Sequence, residues 1–283
     1  MKVLVTGANG QLGFDVVKRL KSINAECLGV DRNDFDLTDE LKTKKFIKEY
    51  KPDIVIHCAA YTAVDKAEEE KEICYKVNVL GTRYITQVCA NIGAKMVYIS
   101  SDYVFDGEGE EPFEVTDKPN PINYYGKTKY EGELEVKKYL DKAFIIRTSW
   151  VFGINGNNFV KTMLKLGKEK RQINVVSDQI GSPTYTYDLA KLISDMIFTE
   201  KYGVYHATNE GFCSWYEFAC EIFKLAGIDV IVKSIKTEDY PTRAVRPKNS
   251  KLSKVFLEHC FYRLPAWQDS LKRYILLLNK LYK

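Results

Sequence analysis

The stretch VTGANGQLG, residues 5–13, decides the fold. Its glycines, at 7, 10 and 13, stand between the apolar run VLVTG (3–7) and LGFDVVKRLKS, in which Leu12, Val16, Val17 and Leu20 recur at helical spacing. The order is strand, turn, helix. Gly7 permits a tight turn, Gly10 lets the backbone approach a pyrophosphate, and Gly13 lets the helix pack on the strand with its N-terminus facing the anion. Asn9, Gln11 and Leu12 complete the loop and are candidates for the same contact. A glycine loop alone is a weak signal. Here the next apolar run, ECLGVD (26–31), ends in Asp31, near the ~20-residue spacing at which an acid takes ribose hydroxyls.

The Asp31 carboxylate would repel the 2′-phosphate of NADP, so NADH is the expected cofactor. Arg32 beside it can bind that phosphate, which keeps NADPH open. Asp36 and Leu37 follow within reach of an adenine ring. Cys58, Ala59 and Ala60 close a third apolar run, DIVIHCAA (53–60), where small residues let a cofactor lie close, and Tyr61 comes next.

Working outward, LTDELKTKKFIKEY reads as a helix with Thr38 as its N-cap. A helix around 72–92 leads into the strand KMVYISS (95–101), and a helix around 123–140 leads into AFIIRTSWVFG (143–153). This alternation predicts an α/β protein with a doubly wound parallel sheet of the Rossmann type. After 153 the regularity breaks. The pattern predicts a helix over 157–170, the strand-like INVVSD, a helix from Tyr187 to Thr199, VYHATN, a helix from Ser214 to Leu225 and the proline-interrupted TEDYPTRAVRPKNSKL. The expected division is a cofactor-binding domain of residues 1–153 and 178–208, with a smaller C-terminal substrate-binding lobe of residues 154–177 and 209–283.

Composition narrows the class. A chain of 283 residues that is 45% hydrophobic can bury a substantial core. The net charge of +4 is spread along the chain with no basic run, so no nucleic-acid partner is expected. The seven cysteines form no CxxC pair and no cysteine-histidine cluster of zinc-finger type, which argues for reduced thiols, and His57, His206 and His259 form no visible ligand set. The N-terminus runs straight into a strand, and no apolar run approaches the ~18 residues of a membrane span. A soluble, cytoplasmic protein is expected.

Candidate chemistry lies in YYGKTK (124–129). A nearby ammonium favours phenolate over phenol, so a tyrosine needs lysine as a neighbour to exchange protons near neutrality. Helical spacing puts Tyr125 and Lys129 on one face; Tyr124 has Lys127 at i+3 and Thr128 at i+4, and Tyr130 has Lys127 three residues before it. Two serines end the preceding strand, Ser100 and Ser101, either able to bond a carbonyl.

The chain resembles the extended short-chain dehydrogenases/reductases through the glycine loop, Asp31, Asn78, Ser101 and Tyr125-Gly-Lys-Thr-Lys129. More closely, it resembles the dTDP-4-dehydrorhamnose reductase family, in HCAAYTAVDKAE (57–68), ISSDYVFDG (99–107), PNPINYYGKTKYEGE (119–133), RTSWVFG (147–153), DQIGSPTYTYDLA (178–190) and RPKNSKL (246–252). The resemblance implies reduction of the 4-keto group of dTDP-6-deoxy-L-lyxo-4-hexulose to dTDP-L-rhamnose by a nicotinamide cofactor. It assigns Ser101 to the carbonyl, Tyr125 to the proton, and Lys129 to the cofactor ribose and the tyrosine pKa. Asn78 joins the cofactor contacts. Thr62, Val64, Asp65, Asp102, Tyr103, Val104 and Phe105 become candidate contacts to the dTDP-sugar, with Trp150 as its apolar wall and Asn158, Arg243 and Arg246 toward its diphosphate and nucleotide. Some members hold a metal between subunits; Asp15 matches one ligand but Tyr187 stands near the other, so no metal is expected and a homodimer stays open. Two other readings remain: a sugar-nucleotide epimerase or dehydratase of the same superfamily, and a non-catalytic regulatory subunit like that of methionine adenosyltransferase.

Overall fold

The computed structural model describes residues 1–281. Strand β1 (Lys2–Thr6) enters the glycine loop and α1 (Gln11–Ser22); β2 (Glu26–Val30), α2 (Glu40–Tyr50) and β3 (Ile54–His57) follow. Helices α3 (Val64–Ala67) and α4 (Lys71–Tyr75) then lead through a π-helical segment, Lys76–Gly81, into α5 (Thr82–Ile92). Strand β4 (Lys95–Ser101) ends in a 3₁₀ turn at Asp102–Val104, and α6 (Tyr124–Tyr139) precedes β5 (Ala143–Thr148). Shorter elements come next: β6 (Val151–Phe152), α7 (Phe159–Glu169), β7 (Gln172–Val176), β8 (Ile180–Gly181), β9 (Thr184–Tyr185), α8 (Thr186–Met196) and β10 (Gly203–His206). The chain continues through β11 (Cys213–Ser214), α9 (Trp215–Ala226), β12 (Ile231–Ile235), α10 (Val255–Cys260) and α11 (Trp267–Leu281).

The main sheet is parallel throughout, in the order β2-β1-β3-β4-β5-β10. The chain leaves β1 for β2 on one side and returns to β3 on the other, so a crevice opens beyond the carboxyl ends of β1 and β3. Strand alternation supplies both faces with apolar side chains. Val3, Val5, Ile54, Ile56 and Ile146 pack with α1 and α8, while Leu4, Val55, Met96 and Ile145 pack with α2, α5 and α6. A separate core gathers Phe152, Val160, Phe218, Ile222, Leu271 and Tyr274 from the irregular part of the chain. Within the stretch 209–283, Leu257 and Leu264 bury themselves in the sheet core instead.

Three local departures from the sequence reading have physical causes. Helix α2 starts one residue later than expected, capped by Asp39 on the Lys42 amide, because Asp36 captures both the amide and the hydroxyl of Thr38 at 2.8 Å. The expected helix over 72–92 is interrupted by the π-helical segment, which holds Asn78 buried. The strand expected through 153 ends at Thr148, where Trp150 turns the chain with φ of 48°.

Helix α6 approaches β4 more closely than side chains allow. A methyl group on Gly126 would stand 2.0 Å from the Tyr103 carbonyl oxygen, and one on Gly132 would stand 2.2 Å from the Tyr98 hydroxyl and 2.9 Å from the Asn78 carbonyl oxygen. Gly132→Ala is therefore expected to cost about 1–3 kcal/mol by overpacking, seen in calorimetry as a fall of roughly 2–10 °C in Tm. An unchanged Tm would contradict this close approach.

Candidate active site

A cleft of about 1310 Å³ lies over the crevice and is closed on the far side by Trp150, Gly156, Asn157 and Trp215. Small-ligand pockets usually run ~300–1,000 Å³, so this one has room for two ligands side by side.

One end fits a dinucleotide. Gly7 turns with φ of 68°, and its Cβ position is filled by the Ala59 backbone at 2.7 Å. Gly13 lets α1 rest on the turn, where a methyl would stand 2.1 Å from the Gly7 oxygen. Gly10 borders the cleft, and a methyl there would meet only the Gly7 oxygen, at 3.1 Å. No side chain caps α1 and no acid sits in its first turn, which leaves its N-terminus suited to an anion. Asp31 accepts from the Asn9 side chain and, at 2.7 Å, from the Asn33 amide. Asn9, Gln11, Leu12, Arg32, Asp36, Leu37, Cys58, Ala59, Ala60 and Tyr61 border the same space. Asn78 does not. It lies behind the wall, accepting from the Tyr61 amide at 2.8 Å and donating to the Tyr61 carbonyl at 3.1 Å and to Thr128 at 3.0 Å, so it ties the loop after β3 to α6.

The middle of the cleft collects Ser101, Tyr125 and Lys129. Asn123 caps α6 through the Gly126 amide at 2.8 Å, which fixes where its first turn begins. The Ser101 hydroxyl donates to Asp102 Oδ1 at 2.7 Å, accepts from the Tyr103 amide at 3.1 Å and meets the Tyr125 hydroxyl. Ser100 is turned to Glu133, donating at 2.6 Å, and Glu133 holds Arg147 through two further bonds of 2.9 and 2.8 Å. Tyr124 points elsewhere: its amide donates to Glu68 and the Lys71 ammonium lies 5.4 Å from its ring centre.

Burial sets the charge states. It drives Lys129 down to about 7 against the opposing Glu133 carboxylate, and the ammonium sits 4.2 Å from the Tyr98 ring centre. Burial, then the charge of Asp102, raises the Tyr125 phenol above its ordinary value. The expected lowering of that value by Lys129 is thus not realised, because burial desolvates both groups together. His57, pushed down to about 3 by burial and then by Lys129, is held between Thr6 at 2.7 Å and Thr82 at 3.2 Å.

Toward the second core the wall is aromatic. Trp150 and Trp215 stack with ring centres 3.6 Å apart, and Tyr103 meets Tyr125 edge-on at 6.0 Å. Thr62, Val64, Asp102 and Tyr103 border the cleft as expected, but other candidates do not. Val104 and Phe105 are fully buried beside Leu252, with Phe105 stacked on Phe113. Asn158 caps α7 and donates to Gln11, Gly153 and Tyr274. Arg246 forms a two-pronged ion pair with Asp65, at 3.1 and 2.7 Å, which braces Tyr103 from behind; Arg243 pairs with Glu69 at the surface. Asp15 is likewise occupied, accepting from Thr186 where α1 meets α8, and Tyr187 is exposed. No three metal-ligating side chains cluster among the described residues.

Sequence reasoning missed Phe35, Ser149, Gly156, Asn157 and Trp215. The segment carrying Gly156 and Asn157 docks on the glycine loop through Asn155, which donates to the Asn9 carbonyl at 2.6 Å. Its Asn/Gly-rich run INGNN carried a turn signal, whereas Trp215 had none beyond its size.

Gly10→Val should place a branched side chain in the cleft where a pyrophosphate would lie. Calorimetric titration with NADH and NADPH is expected to show affinity reduced by a factor on the order of 10 or more, with Tm little changed. Unaltered affinity would contradict the assignment of the loop.

The family model described as "RmlD substrate binding domain" matches residues 1–279. The chain is 42% identical over 274 residues, 97% of this chain and 96% of its relative, to the spore coat polysaccharide biosynthesis protein SpsK of Bacillus subtilis strain 168. A dTDP-4-dehydrorhamnose reductase from Clostridium acetobutylicum superposes with a TM-score of 0.97 at 49% identity, covering 99% of this chain and 100% of that one. Another, from Bacillus anthracis in complex with NADP, gives 0.95 at 44% identity, with 98% and 100% covered. The chain belongs to the RmlD substrate binding domain family, that of the dTDP-4-dehydrorhamnose reductases it resembles.

Proposed function

We propose that this protein is an NAD(P)H-dependent oxidoreductase that reduces the 4-keto group of dTDP-6-deoxy-L-lyxo-4-hexulose to dTDP-L-rhamnose. One observation carries the reading: Ser101, Tyr125 and Lys129 share one cleft with a glycine loop built for a dinucleotide. The cofactor, when bound, supplies the hydride that reduces the sugar ketone. As charge develops on the ketone oxygen, a hydrogen bond from Ser101 strengthens, and Tyr125 delivers the proton that quenches the alkoxide. The raised pKa of Tyr125 suits this direction, because it keeps the phenol protonated, and an alkoxide is basic enough to take the proton. Lys129, which borders the same cleft, would hold the nicotinamide ribose hydroxyls. Trp150 and Trp215 offer an apolar wall for the 6-deoxy sugar, and the 1310 Å³ cleft admits the nucleotide beside it. Asp31 favours NADH, Arg32 beside it accommodates NADPH, and the Bacillus anthracis relative was solved with NADP.

Two features weigh against a dehydratase and a non-catalytic subunit. A dehydratase needs further acids around the carbonyl-binding hydroxyl, and here Asp102 is followed by Tyr103 and Val104. A non-catalytic subunit has no use for the assembled triad. No helix among the described residues is long and apolar enough to cross a membrane.

Tyr125→Phe is expected to lower turnover of the dTDP-4-keto sugar by a factor on the order of 10²–10⁴, with cofactor affinity retained. Tyr124→Phe should keep substantial activity. Consumption of NADH and NADPH measured side by side gives both results and the cofactor preference. A dead Tyr124 variant, or no cofactor consumption by folded wild-type protein, would overturn the reading.

A further inference from the structure

The Ser101 hydroxyl has one proton, and in this structure that proton is spent on Asp102. Ser101 Oγ donates to Asp102 Oδ1 at 2.7 Å, while the Tyr103 amide and the Tyr125 hydroxyl occupy its other side. A hydroxyl that donates to a carboxylate cannot also donate to a ketone. Asp102 is 4% exposed, borders the cleft, and its Oδ2 has no hydrogen-bond partner of good geometry among the described residues. A carboxylate buried this way is costly to keep ionised, and the hydroxyls of Ser101 and Ser250 beside it offset that cost only in part. A proton on it removes that cost and reverses the bond, since a carboxylic acid donates where a carboxylate accepts.

We propose that Asp102 acts as a positioning residue in its protonated form, donating to Ser101 Oγ and so turning the Ser101 proton toward the substrate ketone. No proton is consumed by this arrangement: Tyr125 still supplies the one that reaches the product, and Asp102 keeps its own through the cycle. Ionised Asp102 draws the Ser101 proton away and leaves the ketone unpolarised. The proposal rests on the reductase reading and adds a pH dependence to it.

The surroundings set where that dependence falls. Burial raises the Asp102 carboxyl to about 6, against the opposing hydroxyls of Ser250 and Ser101. Tyr125 and Lys129 face this region from α6, Tyr103 follows on the same turn, and Arg246 with its partner Asp65 lies behind Tyr103. Lys129, driven down to about 7, also loses its charge as the pH rises, so the two ionisations act in the same direction and must be separated by substitution.

The test is the pH profile of kcat/KM for the dTDP-4-keto sugar in wild-type protein, Asp102→Asn, Asp102→Leu and Ser250→Ala, with cofactor titration as a check of folding. Wild type should lose activity as pH rises through the Asp102 ionisation. An amide donates at every pH, so Asp102→Asn should lack this limb and retain only the higher one belonging to Lys129. Asp102→Leu has no donor, so below the Asp102 ionisation its kcat should fall by about 10–100-fold relative to wild type, and it should lack that limb, while cofactor affinity holds. Ser250→Ala removes a hydroxyl that favours the anion, so the limb should move to higher pH. A limb unchanged in both Asp102→Asn and Ser250→Ala would overturn the proposal and leave the reductase reading intact. Absence of turnover in wild type would overturn the reading itself.

Discussion

Much of this structure depends on how closely α6 lies to β4. Two glycines set that distance, Gly126 against the Tyr103 carbonyl and Gly132 against Tyr98 and the Asn78 carbonyl, with no room for a methyl at either. Tyr125 adjoins the first contact and Lys129 falls between the two along α6, so the approach of both to the end of β4 depends on two absent side chains. Asn78 reinforces the arrangement from the π-helical segment by bonding both the Tyr61 backbone and Thr128. The Tyr98 hydroxyl adds a bond to the Lys129 carbonyl at 3.1 Å.

The polar groups buried behind the site are paired to one another. Glu133 accepts from Ser100 and grips Arg147 bidentately, with both charged side chains almost fully excluded from solvent. Leaving one such partner alone typically costs 3–5 kcal/mol, so this network fixes α6 to β4 and β5 in a single arrangement. Its carboxylate also opposes the desolvation of Lys129, one helical turn earlier. Support and chemistry thus share a residue.

Legibility in the sequence followed the kind of signal each feature leaves. The glycine loop was readable because missing side chains at 7, 10 and 13 between a strand and a helix have few other uses, and strand–helix alternation implied the parallel sheet. Tyr125 and Lys129 needed more: periodicity put them on one face but left Tyr124 open, and the family pattern chose. Partnership was the illegible part. Arg246 pairs with Asp65 and Arg243 with Glu69, each far apart in sequence, and Asn158 is a helix cap, so three polar residues that suited a phosphate are engaged elsewhere. Val104 and Phe105 went inward because the 3₁₀ turn after Ser101 breaks the alternation that a continued strand would have kept. Trp215 was missed because its contact with Trp150 joins segments that no local period connects.

The central claim is that this cleft brings a reduced nicotinamide and a sugar ketone together and moves hydride directly between them. Reduction of the dTDP-4-keto sugar with cofactor deuterated at nicotinamide C4, one face at a time, tests it most directly. The account predicts that one of the two labelled cofactors delivers its deuterium to carbon 4 of the dTDP-L-rhamnose formed, visible by NMR of the product. Deuterium lost to solvent, found at another carbon, or delivered equally from both faces would contradict it.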